Sequence, residues 1–327
     1  MHGQLSHCGH CQRPDAEFRC SRCQAVRFCD GDCFRLAWPQ HKASCQAAPA
    51  MPRVPRPPAP DSEAVAVVVP FREQPPLQQR GEQLAKFLPH ITRFLEGLGV
   101  PARVLIVQQS DDERKFNRGQ LLNVGFQLAE ELLPHLGAFI MHDVDLLPSD
   151  DMRQVYARPP PEGCAVHLAS VWGKYSYANF IGGVLSFRPG DFRRVNGYPN
   201  NYWGWGLEDD QLGLRMAHQR IKPLRVRVGT FEDLDPINMK EILESGRSQP
   251  DRFKRHLPLY NSEMFRQSEL RLDPDWPTNG LKNLRFKKLS EKTEGLLYHV
   301  VVELESGSLA VAHVVKGVVR GRMGIVW

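Results

Sequence analysis

The sequence has no long hydrophobic run. Its longest apolar segment spans only Ala64 to Val69, whereas a membrane-spanning helix needs about 20 apolar residues. The segment Met1 to Gln4 resembles neither the basic nor the apolar part of a secretory signal peptide. No run of lysine and arginine forms a nucleic-acid-binding stripe, although the net charge is +5. These absences predict a protein of the cytoplasm or nucleus, with no membrane span and no nucleic-acid partner.

Common phosphate-binding motifs and internal repeats are also missing. The sequence contains neither G-x-x-x-x-G-K-[ST] nor G-x-G-x-x-G, so nothing predicts a P-loop or a dinucleotide fingerprint. Hydrophobic residues make up 42% and charged residues 24% of the 327 residues. This composition is typical of folded globular domains, and the length allows two or three of them.

Cysteine is concentrated at the N-terminus. Of eight cysteines, seven lie within the first 45 residues. Together with one histidine they give eight candidate metal ligands: Cys8, Cys11, Cys20, Cys23, Cys29, Cys33, His41 and Cys45. The spacing C-x2-C-x8-C-x2-C-x5-C-x3-C-x7-H-x3-C suits two tetrahedral zinc sites, because each short pair places two ligands on one turn. A disulfide cluster is the alternative, and the odd number of cysteines and the missing signal peptide disfavour it.

This N-terminal segment resembles a MYND-type zinc finger. Phe28-Cys29, the spacing to Cys33, and Trp38-Pro39-Gln40-His41 followed by Cys45 carry the resemblance, which covers residues 8–45. It implies two structural zinc ions with interleaved ligands. One ion would be held by Cys8, Cys11, Cys29 and Cys33, and the other by Cys20, Cys23, His41 and Cys45. It also implies a peptide or protein partner.

A proline-rich segment follows the finger. Six of the fourteen residues from Ala47 to Pro60 are proline, which excludes regular helix and sheet and predicts an extended spacer. The expected organisation is a finger over residues 1–46, a linker over 47–62 and a second domain over 63–327.

The second domain begins with alternating strand and helix patterns. Residues 64–69 are β-branched or small and predict a buried central strand. Spacings of three and four from Leu84 to Leu98 predict a helix that Pro89 bends or interrupts. A strand over 103–107, a helix over 118–132 and a strand over 138–141 follow. This order predicts a parallel, Rossmann-like α/β sheet with its ligand site at the carboxyl ends of the strands.

Acidic residues lie where such a site is expected. Asp143 and Asp145 follow the third strand as D-x-D, a pair that favours Mn²⁺ or Mg²⁺ bound to a diphosphate, although the motif alone is often only a turn. Further along, Trp203-Gly204-Trp205-Gly206 precedes Glu208, Asp209 and Asp210. Its aromatic faces suit stacking on sugars, and one carboxylate there could act as a general base. The same segment also reads as a glycine-rich turn that starts a helix.

The combination resembles the β-1,4-galactosyltransferase family. The shared motifs occur in order over residues 64–290: Val69-Pro70-Phe71-Arg72, Phe116-Asn117-Arg118, Asn123-Val124-Gly125-Phe126, His142-Asp143-Val144-Asp145, Gly182-Gly183-Val184, residues 203–210 and Asn279-Gly280-Leu281. The branch that galactosylates xylose in the proteoglycan linker is the most similar. The resemblance implies a GT-A fold and a metal-dependent, inverting transfer of a hexose, galactose in this family, from a UDP-sugar to a glycan or glycoside acceptor.

The resemblance also implies roles for individual residues. Asp209 would be the catalytic base, and Glu208 would hold a sugar. Phe180 would lie near the donor sugar, and Trp205 would contact sugar or phosphate from a mobile loop. The uridine diphosphate pocket would be lined by Pro70, Phe71, Arg72, Phe116 and Arg118, with Asp143 supporting the nucleotide end. Asp145 would ligate Mn²⁺ or Mg²⁺.

Four positions depart from the family pattern. Asp233 and Asp235 stand where metal-binding histidines are expected, so the predicted metal ligands are Asp145, Asp233 and Asp235. Phe180 replaces a tyrosine, which leaves galactose and N-acetylgalactosamine open as donor sugars. Leu207 changes the acceptor side. The alternative hypothesis is therefore a catalytically inactive transferase fold that serves as an adaptor and binds protein partners through the finger.

Overall fold

The computed structural model describes residues 7–13, 16, 18–20, 26–45, 63–73, 78–175, 179–245, 248–261 and 270–305. The chain divides into two compact units, Met1–Val54 and Pro55–Trp327. The predicted linker over residues 47–62 lies outside the described residues.

The first unit contains a two-stranded antiparallel sheet and one helix. Its elements are β1 (Phe18–Arg19), β2 (Arg27–Phe28) and α1 (Gly31–Ser44). Asp30 caps α1, since its carboxylate accepts hydrogen bonds from the backbone N–H groups of Asp32 and Cys33 at 2.9 and 2.8 Å.

The second unit alternates strands and helices. Its strands are β3 (Ala64–Phe71), β4 (Ala102–Gln109), β5 (Leu136–His142), β6 (Leu146–Pro148), β7 (Cys164–His167), β8 (Val184–Phe187), β9 (Lys222–Arg225), β10 (Phe231–Asp233), β11 (Phe286–Glu294) and β12 (Leu297–Leu304). Its α-helices are α2 (Arg80–Glu96), α3 (Arg118–Leu132), α4 (Arg153–Tyr156), α5 (Pro189–Arg194), α6 (Glu208–His218), α7 (Met239–Glu244) and α8 (Pro250–His256).

Eight strands form one mixed sheet in the order β11-β12-β4-β3-β5-β8-β7-β9, and β6 pairs with β10 separately. The predicted parallel arrangement holds for β3, β4 and β5. It fails at β8, which runs antiparallel to both β5 and β7. Between β7 and β8 the described residues form a 3-10 helix at Leu168–Val171 and no α-helix, whereas a parallel connection needs a crossover.

The sheet is packed with side chains on both faces. All eight residues of β3 are buried, as expected for a central strand. Val67 and Val69 pack with α2, whereas Val68 packs with α3, because successive side chains of a strand point to opposite faces. The α/β fold class predicted from the sequence is confirmed.

The two helices beside β3 differ in how well the sequence predicts them. Helix α3 has the predicted bounds. Of the two expectations for Pro89, a bend or an interruption, the interruption does not occur, because helix α2 continues through this residue. Its buried residues Phe87, Ile91 and Phe94 pack on the sheet, and this packing holds the helix together across the missing hydrogen bond.

Both edges of the large sheet are exposed and charged. All four residues of β9 are exposed, including Lys222 and Arg225. Eight of the nine residues of β11 are exposed, among them Lys287, Lys288 and Lys292. Among the described residues, no helix has the length and apolar character needed to cross a bilayer.

Gly125 on α3 sets the distance between this helix and the sheet. A Cβ atom there would lie 2.1 Å from Val68 Cγ1 and 3.1 Å from Val107 Cγ2. We expect Gly125→Ala to lower the free energy of unfolding by about 1–3 kcal/mol, because the added methyl overpacks this contact. Urea denaturation measures the change. Gly213→Ala on α6 is the matched control, since its Cβ would meet only Ile181 Cδ1 at 3.5 Å. A Gly125→Ala protein as stable as the Gly213→Ala protein would contradict the proposed close contact.

Candidate active site

A cavity of about 350 Å³ lies at the carboxyl ends of β3 and β5. The structure brings nearly all the predicted donor-side, acceptor-side and metal-site residues of the second unit to its wall: Pro70, Phe71, Arg72, Phe116, Arg118, Asp143, Asp145, Phe180, Trp205, Glu208, Asp209 and Asp235. Asp233 does not line the cavity, but the indole Nε1–H of Trp172, which lines the wall, donates to its carboxylate at 3.1 Å.

Arg118 joins the two acidic segments that the sequence singled out. It is the first residue of α3, and its Nε lies 2.8 Å from Asp143 Oδ1, at the end of β5. Its Nη1 lies 2.9 Å from Asp209 Oδ1 and 3.7 Å from Glu208 Oε1, in the first turn of α6. One guanidinium thus holds three carboxylates from two elements.

One guanidinium does not neutralise three carboxylates, of which Glu208 is buried and Asp143 and Asp209 are partly buried. Burial raises the pKa of Asp143 to about 6 despite its ion pair with Arg118. Burial and the negative charge of Asp209 raise the pKa of Glu208 to about 8. At neutral pH Glu208 therefore carries a proton and can donate a hydrogen bond.

Asp209 is oriented from two sides. Its Oδ1 accepts hydrogen bonds from Arg118 and, at 3.0 Å, from the hydroxyl group of Tyr198. Burial and the charge of Asp209 keep the pKa of Tyr198 above its usual value, so Tyr198 remains a donor. On the other side, a Cβ at Gly182 would lie 2.5 Å from Asp209 Oδ2, which leaves glycine as the residue that fits. Leu207, just before α6, has the left-handed φ of 75°.

The loop that carries Trp205 is held in place by backbone hydrogen bonds. Trp205 N donates to Leu259 O at 2.7 Å, and Asn261 N donates to Trp205 O at 2.9 Å. The indole packs edge-on against Tyr260, with ring centroids 5.5 Å apart. In this conformation Trp205 forms part of an aromatic wall.

Further aromatic side chains complete this wall. Tyr175 lies 5.4 Å from Phe180 and 6.5 Å from Trp205 between ring centroids, and Trp172 lies 5.2 Å from Tyr175. All four line the cavity. Such faces bind the apolar side of a sugar ring and exclude water.

Pairing of β10 with β6 brings Asp233 and Asp235 towards Asp145. Asp233 lies opposite Leu146, and Leu234 N donates to Asp145 O at 2.8 Å. The three carboxylates nevertheless do not converge on one point, as metal ligands would. Among the described residues, only the two cysteine-rich groups of the first unit bring three or more potential ligand atoms together.

Basic side chains hold these carboxylates. Arg80 Nη1 lies 2.7 Å from Asp145 Oδ2, and Arg80 Nη2 lies 3.3 Å from Asp235 Oδ2. Lys174 Nζ lies 3.0 Å from Asp233 Oδ2. Among the six carboxylate oxygens, only the buried Asp145 Oδ1 has no hydrogen-bond partner. One open oxygen beside a guanidinium does not fit a divalent ion, which takes several oxygen ligands. In this conformation Asp145, Asp233 and Asp235 therefore share no common metal-binding centre.

Sequence reasoning missed Arg80, Lys174 and Tyr198. Arg80 starts α2 directly after a proline-containing segment, and Lys174 lies in a loop without a recognised motif. For Tyr198 the sequence offers one signal, the turn-forming pair Asn196-Gly197 shortly before the tryptophan-rich segment. A turn there returns the chain towards the site.

The first unit contains two groups of potential zinc ligands. The sulfur atoms of Cys8, Cys11, Cys29 and Cys33 lie within 4.8 Å of one another, as do the ligand atoms of Cys20, His41 and Cys45. Cys23, expected in the second group, lies outside the described residues. Four thiolates, or thiolates with an imidazole, are the donor sets that zinc prefers, so these residues fit it.

Comparisons with known families place both units. The model of the MYND finger matches residues 8–45. The model described as the N-terminal region of glycosyl transferase group 7 matches residues 53–158, and that described as the N-terminal domain of galactosyltransferase matches residues 163–239.

Curated relatives are similar mainly to the second unit. β-1,4-Galactosyltransferase 7 of Drosophila melanogaster is 36% identical over 230 residues, which cover 69% of this chain and 63% of the relative. Xylosylprotein 4-β-galactosyltransferase of Caenorhabditis elegans is 39% identical over 164 residues, which cover 50% of this chain and 53% of the relative. The chain thus spans less than two thirds of either relative.

Solved structures agree with these relatives. The catalytic domain of Drosophila β-1,4-galactosyltransferase 7, solved with xylobiose, matches with a TM-score of 0.55 and 30% identity over 75% of this chain and 95% of that domain. A mutant of the same enzyme, 29% identical with the same TM-score and coverage, was solved with manganese, UDP-Gal and xylobiose.

The raised pKa of Glu208 predicts a pH-dependent stability. Because the folded protein binds this proton more tightly than the unfolded chain, the stabilisation is present below about pH 4.5 and is lost as the pH rises towards 8. We expect Glu208→Gln to gain stability relative to the wild type between pH 5 and pH 8, by about 1.4 kcal/mol per pH unit at most. Urea denaturation across this range measures the change. A stability difference that is constant with pH would contradict the assignment.

The two ligand groups predict the zinc content. We expect the full chain to hold two zinc ions, and Cys29→Ser to lose the ion of the first group. Elemental analysis of the purified protein gives the zinc count per chain. Cys164→Ser is the matched control, because Cys164 lies in β7, outside both groups, and should leave two ions. Equal zinc content in the two variants would refute the ligand assignment.

Proposed function

Since this chain belongs to the β-1,4-galactosyltransferase family, we propose that it transfers galactose from UDP-galactose to a hydroxyl group of a xylose-containing acceptor. The observation that carries the proposal is that Asp143 and Asp209 bind the same guanidinium of Arg118 in one cavity. Asp143, expected at the nucleotide, and Asp209, expected at the acceptor, are therefore separated only by the Arg118 side chain that both contact. Xylose as acceptor is supported by the name of one relative and by the xylobiose complexes of another.

The proposed reaction is a single displacement at the anomeric carbon. Asp209 takes the proton of the acceptor hydroxyl, and the acceptor oxygen forms a bond to C1 of galactose. The bond between C1 and the β-phosphate oxygen breaks on the opposite face, and its electron pair leaves with UDP. Attack opposite the leaving group inverts the configuration, by the same geometry that governs inverting hydrolysis.

Neighbouring residues divide the remaining tasks. Arg118 and Tyr198 fix the orientation of Asp209 through its Oδ1. Its second oxygen, Oδ2, then lies beside Gly182. Protonated Glu208 donates a hydrogen bond to a sugar hydroxyl instead of competing for the proton. Phe180 and Trp205 cover the sugar, and a closed aromatic wall favours transfer over hydrolysis by water.

The nucleotide end of the cavity is assigned to the first strand. Pro70, Phe71 and Arg72 lie at the end of β3, beside Phe116 at the start of α3. We assign these residues to the uridine. Galactose is the proposed sugar because it is the sugar of the relatives' activities by name.

The MYND finger is proposed to hold two zinc ions and to bind a protein partner. The ligand groups support zinc, and the side chain of Leu36, which is 66% exposed on α1, supports an apolar contact with a peptide. The finger would thereby recruit the transferase unit to its acceptor protein.

The catalytic assignment predicts that Asp209→Asn loses transfer but retains UDP binding. Removing a general base lowers kcat by about 10²–10⁴-fold, while the nucleotide end of the site is unchanged. UDP release from UDP-galactose with an aryl β-xyloside gives the rate, calorimetry gives UDP affinity, and NMR of the product gives the anomeric configuration. Asp151→Asn, an exposed carboxylate after β6, is the control.

Two outcomes would contradict this assignment. Full activity of Asp209→Asn would remove Asp209 as the base. A wild-type protein that transfers no sugar from any UDP-sugar while its finger binds a peptide would instead identify an inactive adaptor, the alternative favoured by the two aspartates at positions 233 and 235.

A further inference from the structure

We propose that Arg80 and Lys174 replace the divalent cation, so that this chain binds a nucleotide-sugar diphosphate and releases UDP without Mn²⁺ or Mg²⁺. The inference rests on the proposed function and names the groups that meet the diphosphate. It departs from the sequence-based expectation of a metal site at Asp145, Asp233 and Asp235.

Arg80 occupies the bridging position between two of the expected metal ligands. It binds Asp145 on one side and Asp235 on the other, at 2.7 and 3.3 Å. A divalent ion bound between the same oxygens would meet the guanidinium at hydrogen-bond distance, where like charges repel strongly. The side chain of Arg80 is 20% exposed, and those of Asp145 and Asp235 are 10% and 7% exposed, so the ion pairs are weakly screened by solvent.

Lys174 holds the third expected ligand. Its ammonium group binds Asp233 Oδ2 at 3.0 Å and the backbone oxygen of Asp235 at 2.6 Å. The indole N–H of Trp172 donates to the same oxygen of Asp233. Asp233 is thereby turned towards Lys174 and away from Asp145, which explains why the three carboxylates share no common centre.

The two basic groups retain donors for a ligand. Arg80 has five N–H groups, of which those bound to Asp145, Gln83 and Asp235 account for three. Lys174 has three, of which two are bound. Two N–H groups of Arg80 and one of Lys174 thus have no acceptor among the described residues, and both side chains line the cavity.

These donors suit the leaving group. When the bond between C1 and the β-phosphate oxygen breaks, the departing UDP gains one negative charge, and the proton of the acceptor goes to Asp209. A guanidinium and an ammonium together carry the charge of one divalent ion, and both form charge-assisted hydrogen bonds to phosphate oxygens. Asp145, Asp233 and Asp235 act as positioning residues that hold the two cations.

The test measures UDP binding by the full, zinc-loaded chain. No chelator is used, because a chelator would also remove zinc from the finger. Protein freed of Mn²⁺ and Mg²⁺, as verified by elemental analysis, is titrated with UDP by calorimetry before and after addition of MnCl₂ or MgCl₂. We expect the dissociation constants to agree within about threefold, a difference of under 1 kcal/mol. A gain of more than about tenfold on adding either metal would overturn the proposal.

Variants of the two basic residues make the test specific. Arg80→Met and Lys174→Met should each weaken metal-free UDP binding by about tenfold or more. Arg80→Met also frees the oxygens of Asp145 and Asp235. Added Mn²⁺ should therefore increase the UDP affinity of this variant, whereas it should leave the affinity of the wild type unchanged. Lys86→Met removes the same charge from an exposed position on the same helix, α2, and should bind UDP as the wild type does.

Folding and function are checked separately. Thermal unfolding shows whether Arg80→Met is folded. If it is not, Arg80→Lys, which keeps a positive charge, takes its place in the test. Arg80→Lys should bind UDP without metal more tightly than any folded Arg80→Met protein does. Wild-type affinity in both Met variants would overturn the inference while leaving the proposed transfer intact. Absence of UDP binding by the wild type, with or without metal, would overturn the proposed function and the inference together.

Discussion

The ion pairs of Arg118 are the constraint on which the site depends. One guanidinium, fixed at the start of α3, reaches the end of β5 through Asp143 and the start of α6 through Asp209. Carboxylates from distant parts of the chain share this cation, so one side chain joins the nucleotide side of the cavity to the acceptor side. Burial and the charge of Asp209 raise the pKa of Glu208, which keeps a proton on Glu208 and so separates its task from that of Asp209.

Buried amide side chains hold α3 and thus Arg118 in position. Asn117 caps the helix and donates to Asn200 O at 2.8 Å. Nearly two turns further along the helix, Asn123 donates to Tyr198 O and to Asn200 Oδ1 and accepts from Tyr198 N. The segment that delivers the Tyr198 hydroxyl to Asp209 is therefore built on α3 itself. Fully paired buried amides of this kind specify one geometry, since any other arrangement leaves polar groups unsatisfied.

Much of this arrangement follows from the sequence, within definite limits. The uniformly apolar β3 and the periodicity of α3 predict the central strand and its neighbouring helix, and the strand ends locate Asp143 and Asp145. The reversal of β8 was not predictable, because an apolar run has no direction until its connection is known. Arg80 and Lys174 were missed for a related reason: their partners are set by the pairing of β10 with β6, a long-range contact that no local motif records. The aspartates at positions 233 and 235, where the family resemblance implies histidines, were visible in the sequence. Their ion pairs with Arg80 and Lys174 became visible only in the coordinates.

The charged edge strands of the large sheet affect self-association of the protein. Strands β9 and β11 are the outermost strands of the large sheet among the described residues, and an edge strand is where pairing between copies can begin. Charged side chains along both margins disfavour the pairing of a second strand, and Pro223 in β9 removes one backbone donor from such pairing. The two outermost strands thus disfavour fibril-like association at high concentration.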